Sequence, residues 1–248
     1  FYLNQYPDIE AAGTDPLVHY LLHGREEGRI GFIDIEAFVQ FGSLPFEPEK
    51  ETVFVVGHES TFTGAPLVGL GIGDYLARSH NVVHIIPKRG GMHDRFLVTS
   101  QAVVSDFSAY TNALWYIVPY LVKRFAPSSA VVNSAASIDV LRALSNQRLP
   151  NVTLVHEYVE NEHPKDSVLH SVILSDIVVF PAEEVKQSAL EDLRERAGVK
   201  SELNHIRVRP QGRVTALDTT SDFSSRAELG LTDDNIVLAG AGYVDPRK

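Results

Sequence analysis

The chain has 248 residues with a net charge of −10, 44% hydrophobic and 22% charged residues, and no cysteine. The composition is that of a globular chain long enough for one large α/β domain with an appendage, or for two small domains. The acidic balance argues against a general nucleic-acid or anionic-membrane binder. The lack of cysteine excludes disulfides, thiolate catalysis and Cys-bound zinc.

Residues 1–48 differ in pattern from the rest of the chain. Two short units open with Pro and close with Gly, at 7–13 and 16–24, as helices do when Pro occupies the first turn and Gly comes after the last. Asp15 is placed to cap the second unit, where Leu17, Tyr20 and Leu21 share one apolar face. A third segment carries Ile33, Ile35, Phe38 and Val39. This stretch is expected to be a small helical appendage, joined to the remainder by a linker around Pro45 and Pro48.

From Thr52 onward strands alternate with helices. Strands are expected over 53–56, 81–86, 102–104, 130–133, 152–155, 177–180 and 206–208. Helices are expected over 66–79, 108–125, 137–147 (capped by Ser137), 167–175 and 182–197. Residues 213–234 are polar and turn-rich and read as an interdomain connection. A buried strand over 236–239 then opens a second α/β domain. No apolar run approaches the roughly 18 residues of a membrane span, and Pro119 interrupts the longest, 113–122. The chain starts without Met and stops soon after a strand-like run, so both ends read as cuts. The alternation defines the expected class: α/β, a Rossmann-like parallel sheet with helices on both faces. The expected domains are 1–48, 52–212 and 213–248.

Several motifs fail on context. The Gly69, Gly71 and Gly73 series lies inside a helix, where a dinucleotide fingerprint does not belong, and reads as packing glycines. Gly240 and Gly242 come after a strand, but Asp245 replaces the third glycine. There is no phosphate loop and no nucleophile elbow. His156-Glu157 lacks the second histidine of a zinc-protease motif.

In a parallel sheet ligands bind beyond the carboxyl ends of the strands, and three loops there carry chemistry. The loop over 57–66 leads into a helix N-terminus whose free N–H groups attract phosphate; Thr63, Gly64 and Ala65 are its candidates, with Gly64 allowing close approach to the backbone. The loop over 87–96 combines glycines with cations, and Arg89, Gly90, Gly91, His93 and Arg95 are candidates for gripping an acceptor. His156 and Glu157 end a buried strand and are the candidate catalytic pair. Glu160, Glu162 and His163 are further acid–base candidates. Asn133 and Ser134 close the preceding strand and face the same cleft or cap a loop.

These residues, in this order, resemble a GT-B-fold glycosyltransferase of the large, mostly retaining family 4 group. The resemblance rests on Gly64-Ala65-Pro66, on Arg89-Gly90-Gly91-Met92, on Asn133 and on Leu154-Val155-His156-Glu157. It continues through Ser175 to Pro181, Ile206 to Gly212 and Ile236 to Lys248. It implies a first, acceptor-side Rossmann-like domain and a second, mostly missing domain that binds the nucleotide. The implied substrates are a nucleotide sugar and a glycan or lipid-linked acceptor, with no cofactor beyond that donor and no metal. The first 29 residues resemble a short module of bacterial surface-polysaccharide glycosyltransferases. That implies a cytoplasmic enzyme, peripheral at the inner face of the plasma membrane. A non-catalytic carbohydrate-binding or assembly domain of the same fold stands as the alternative.

Overall fold

The computed structural model of the chain describes residues 1–198, 203–211, 228–232 and 234–236. It divides into two compact units, Phe1–Val214 and Thr215–Lys248. Of the second unit, residues 228–230 form a turn, and Asn235 accepts a hydrogen bond from the Thr232 backbone. Residues 237–239 of the expected strand, the Gly240/Gly242 pair and most of the expected connection lie outside the described residues.

The first unit begins with three short helices, α1 (Tyr2–Gln5), α2 (Pro7–Ala11) and α3 (Pro16–His19). Asp15 caps α3 as expected, accepting from the Leu17 and Val18 amides at 2.9 Å. A π-helical turn, Tyr20–Gly24, continues α3. The apolar face is not packed inward: Leu17 and Leu21 are exposed, and Tyr20 alone of the three turns back onto Tyr2. Arg29 ties the module together, donating to both Asp8 carboxylate oxygens at 3.0 and 2.9 Å.

Next comes a short strand, β1 (Val39–Phe41). The sheet continues with β2 (Thr52–Val56), β3 (Asn81–Ile86), β4 (Ala102–Ser105), β5 (Pro127–Asn133), β6 (Asn151–Leu154), β7 (Ile177–Phe180) and β8 (Ile206–Val208). The spatial order is β1-β4-β3-β2-β5-β6-β7-β8. Every pairing from β4 to β8 is parallel, and among the described strands β1 alone is antiparallel, closing the edge against β4. Sequence patterning did not anticipate β1, because three residues are too few to show a period of two.

Helices α4 (Gly64–Leu76), α5 (His93–Val98), α6 (Leu114–Phe125), α7 (Ile138–Asn146), α8 (Ser167–Leu174) and α9 (Glu183–Ala197) connect the strands. Alternate residues of β2 and β3 divide between the two faces. Phe54, Val56, Val83 and Ile85 meet α6 and α7 in the main core. On the other face Ile86 packs with Met92, Phe96 and Val103 beside Leu67 and Leu70 of α4. Val178 and Phe180 hold α8 and α9 at the far end.

Some expected boundaries move. Helix α4 begins at Gly64, two residues before Pro66. The expected helix over 108–125 is a 3-10 segment, Ser108–Ala113, that leads into α6. Ser137 does not cap α7; its hydroxyl donates to the Asn133 carbonyl at 3.2 Å. Ser134 caps the 3-10 turn Ala135–Ser137 that leads into α7, accepting from the Ala136 amide at 3.1 Å with φ at +79°. No helix among the described residues is long and apolar enough to cross a membrane.

Candidate functional site

The chain runs outward from β2 to β3 and β4, then returns to place β5 on the other side of β2. The connections leaving β2 and β5 therefore diverge, and a crevice opens at their carboxyl ends, where ligands bind in open α/β sheets. The loop over 57–63 leaves β2 there, and Asn133-Ser134 leaves β5.

A chain of hydrogen bonds crosses this crevice. The Asn133 amide donates to the Ala65 carbonyl at 2.5 Å, and its oxygen meets His156 Nε2 at 2.8 Å. On the far side of the ring, Gln211 Nε2 meets His156 Nδ1. The Asn133 amide nitrogen is engaged by Ala65 and the Asn133 oxygen only accepts, so the neutral ring carries its proton on Nε2 and leaves Nδ1 to accept from the Gln211 side-chain N–H. The structure thus joins three expected site residues, Ala65, Asn133 and His156. Gln211, outside the expected set, is brought to them by β8. Glu157 lies beside them: one oxygen accepts from Ser134 Oγ at 3.0 Å, the other from the His156 amide at 3.2 Å.

His156 is half-buried, and burial pushes its pKa below the ordinary histidine value; Glu157 opposes that shift and His58 reinforces it. His58, at the end of β2, is depressed in the same way, mainly by burial and against the pull of Glu59 and Glu157. Both rings are therefore held neutral near pH 7. The sequence signal for His58 was its place directly after Gly57, in the loop that leaves β2. Glu59 loses hydration, yet its carboxyl stays below the usual range, because Thr61 donates to it at 2.7 Å and His58 and Lys88 lie close.

The N-terminus of α4 opens on the same crevice. Thr63 precedes it without capping it; its hydroxyl pairs with Thr61 at 3.0 Å. A Cβ at Gly64 would meet nothing within 4 Å. The first turn thus offers backbone donors across open space, and that turn carries no acidic side chain.

The loop over 87–96 is arranged differently from its sequence appearance. Lys88 pairs with Glu59 at 3.4 Å and Arg89 with Asp106 at 3.3 Å, while Arg95 covers the Phe62 ring at 5.3 Å. Gly90 and Gly91 pack against the Ser60 backbone and the Phe62 ring. His93 is only 2% exposed and meets Gln40 at 3.1 Å, so it is part of the packing beneath the loop and does not line an open surface. Gln40, on β1, also meets Arg89.

Glu162 is likewise engaged: its oxygens accept from the amides of Asp166 and Val168 at 2.6 and 2.8 Å, closing the start of α8. Glu160 and His163 are exposed. No group of three or more metal-liganding side chains occurs among the described residues. Gly69 lies against the Asn133 amide and Gly73 against the His84 ring, so α4 needs them for close approach to the sheet.

Together the fold and the crevice define a class: an open, Rossmann-like α/β sheet with polar loops gathered at its switch point. No family model matches the chain, and no curated protein matches it. Among solved structures it is similar to UDP-GlcNAc 2-epimerase from Neisseria meningitidis bound to UDP-GlcNAc, at 13% identity and a TM-score of 0.45, over 63% of this chain and 45% of that one. It is similar to Anabaena HepE in complex with UDP and glucose, at 13% identity and a TM-score of 0.48, over 64% and 44%. A UDP-glucosyltransferase from Polygonum tinctorium gives 12% identity and a TM-score of 0.43, over 74% and 56%. The chain spans about half the length of these proteins. Likeness at this level concerns the fold and carries no argument about what this chain does.

Proposed function

We propose that the chain is the acceptor-side half of a glycosyltransferase of the GT-B, family 4 type, acting on a nucleotide sugar. The observation that carries this reading is the Ala65–Asn133–His156–Gln211 network across the switch-point crevice, beside the uncapped N-terminus of α4. Residues 52–212 form the acceptor-side domain, residues 1–48 an appendage, and residues 213–248 lead into a second domain that binds the nucleotide. The donor diphosphate approaches the amides of Gly64 and Ala65, where backbone donors and the helix dipole favour negative charge. His156, neutral and held at both ring nitrogens, contacts the transferred sugar. Glu157 fixes the His156 backbone and places a negative charge beside the developing positive charge on that sugar. Arg89 and Arg95, on the rim, face the acceptor.

In the transfer the bond from the anomeric carbon to the diphosphate oxygen breaks and a bond to an acceptor hydroxyl oxygen forms. The hydroxyl proton is released, and the diphosphate leaves with the bonding pair. Positioning and charge stabilisation supply the catalysis. The donor is a substrate, and no further cofactor takes part. The acceptor is a glycan or lipid-linked saccharide of a bacterial surface polysaccharide, met at the inner face of the plasma membrane, and the product retains the donor's anomeric configuration.

The test is turnover by the complete protein over a panel of nucleotide sugars with an acceptor extract, with His156→Ala alongside. Transfer is expected with one donor, falling about 10²- to 10⁴-fold in the variant. Turnover untouched by the substitution removes His156 from the site. Silence with every donor makes the domain a carbohydrate-binding or assembly module instead.

A further inference from the structure

The three helices at the start of the chain do not stand apart from the sheet. Phe1 packs edge-on against Tyr116 at 6.5 Å between ring centroids, and with Ile33, Ile35 and Phe38 it joins the main core. This docking sets Asn4 of α1 opposite the starts of α6 and α7. Between them lies a cavity of about 460 Å³, lined by Asn4, Asn112, Leu114, Trp115, Asp139 and Arg142. Its size falls within the roughly 300–1,000 Å³ of ligand sites. A second, smaller cavity of about 110 Å³ shares Leu114 and Asp139 with the first and continues past Phe107 and Val140 to His58. The two cavities share that wall, the inner one reaching toward the switch-point crevice and the outer one facing α1.

The chemistry of the outer cavity is specific. Trp115 is the chain's single tryptophan, and it is 50% exposed on the first turn of α6. An aromatic face left open to water stacks on the C–H face of a pyranose ring. Around it stand two amides, Asn4 and Asn112, and a carboxylate–guanidinium pair, Asp139 and Arg142, at 2.9 Å. Arg142 is held from behind by His170 Nδ1 at 2.8 Å. Planar amides and a fixed ion pair offer hydrogen-bond donors and acceptors to sugar hydroxyls. The ion pair leaves the cavity without net charge, and the chain as a whole carries −10, so an anionic ligand gains nothing there.

We infer that the groove between α1, α6 and α7 is a subsite for an uncharged oligosaccharide, one sugar ring stacking on Trp115 and the chain running inward past Leu114 toward His58. This rests on the transfer reading only in its direction: the inner end of the saccharide is the acceptor end. It gives the appendage a binding role, since Asn4 completes the cavity.

Because no second tryptophan competes with Trp115, its emission reports on the groove directly. The probes are the hexasaccharides of α-1,4-glucose, β-1,4-glucose, β-1,4-N-acetylglucosamine and β-1,4-mannose, with the parent monosaccharides. At least one hexasaccharide is expected to give a saturable emission change, with its monosaccharide binding at least roughly tenfold more weakly. By calorimetry, Trp115→Ala is expected to weaken that saccharide about tenfold, the loss of one stacked ring, and Asn4→Ala by roughly three- to tenfold. Both side chains are exposed, so thermal melts of the variants should overlay the wild type and separate lost contacts from lost fold. No saturable response to any hexasaccharide overturns the subsite, as does wild-type affinity in Trp115→Ala. The transfer reading fails separately: saccharide binding that stands while the complete protein turns over no donor keeps the groove and removes the enzyme.

Discussion

His84 sits inside β3 with its ring edge-on to Phe96 at 4.8 Å and against Gly73. Its Nε2 is buried with no hydrogen-bond partner, and burial pushes its pKa down to about 3. The folded ring is thus neutral where the unfolded one, near 6.5, takes up a proton as pH falls. Its contribution to stability is therefore whole above about 6.5 and is lost as pH drops toward 3, at about 1.4 kcal/mol per pH unit. His84→Leu keeps the apolar volume and removes the titration. Denaturant unfolding at pH 7, 6 and 5 should therefore show an acid slope shallower in the variant by about that amount, and parallel profiles would contradict it. His156 also sits at the end of a buried strand, yet both its ring nitrogens are bonded. In the sequence the two histidines look alike on their amino side, each preceded by an apolar run. The charged Glu157 and the position along the strand separate them, the middle for His84 and the carboxyl end for His156, and strand boundaries were legible enough to mark His156 as the site candidate.

The loops that leave β2 and β3 behave as one element. Ser60 N donates to the Lys88 carbonyl at 3.2 Å, Gly90 N to Ser60 Oγ at 2.7 Å, and Met92 N to the Ser60 carbonyl at 2.8 Å. A Cβ on Gly90 would come within 2.7 Å of the Ser60 backbone, whereas one on Gly64 would meet open space. Gly90→Ala is expected to destabilise the fold by about 1–3 kcal/mol, since backbone cannot step aside. Gly64→Ala is expected to leave stability unchanged or raise it by up to about 1 kcal/mol, the gain from a less flexible unfolded chain, while weakening donor binding by the complete protein. Chemical denaturation of both variants with a nucleotide-sugar titration checks the pair, and equal loss of stability at the two positions would refute it. Both glycines belong to glycine-bearing loops after strands, and sequence assigned both to ligand contact. What it lacked was the partner surface: Gly90 faces a neighbouring loop, Gly64 faces water. The same holds for His93 and Arg89, which read as a basic loop until Gln40 of β1 and Asp106 are seen against them.

At the scale of the molecule, the first 41 residues are built into the sheet unit. Phe1, Ile33, Ile35 and Phe38 pack on its core, Tyr120 and Arg124 of α6 bond to Glu36, and β1 closes the edge of β4. Removing residues 1–41 should uncover that apolar surface and an unpaired edge, costing several kcal/mol and lowering Tm by about 10 °C. A melt that does not move would mean an appendage independent of the sheet. The alternation of buried strands and amphipathic helices, and with it the parallel α/β sheet, was determined by the sequence itself. So was the Asp15 cap, because hydrophobic period and capping chemistry are local properties of the chain. The order of the strands, the β1 edge, the meeting of Asn133 with His156 and Gln211, and the groove that Asn4 shares with Trp115 were decided only by tertiary structure. Each depends on residues tens of positions apart being carried to one place, and no local period records which loops a right-handed crossover will bring together.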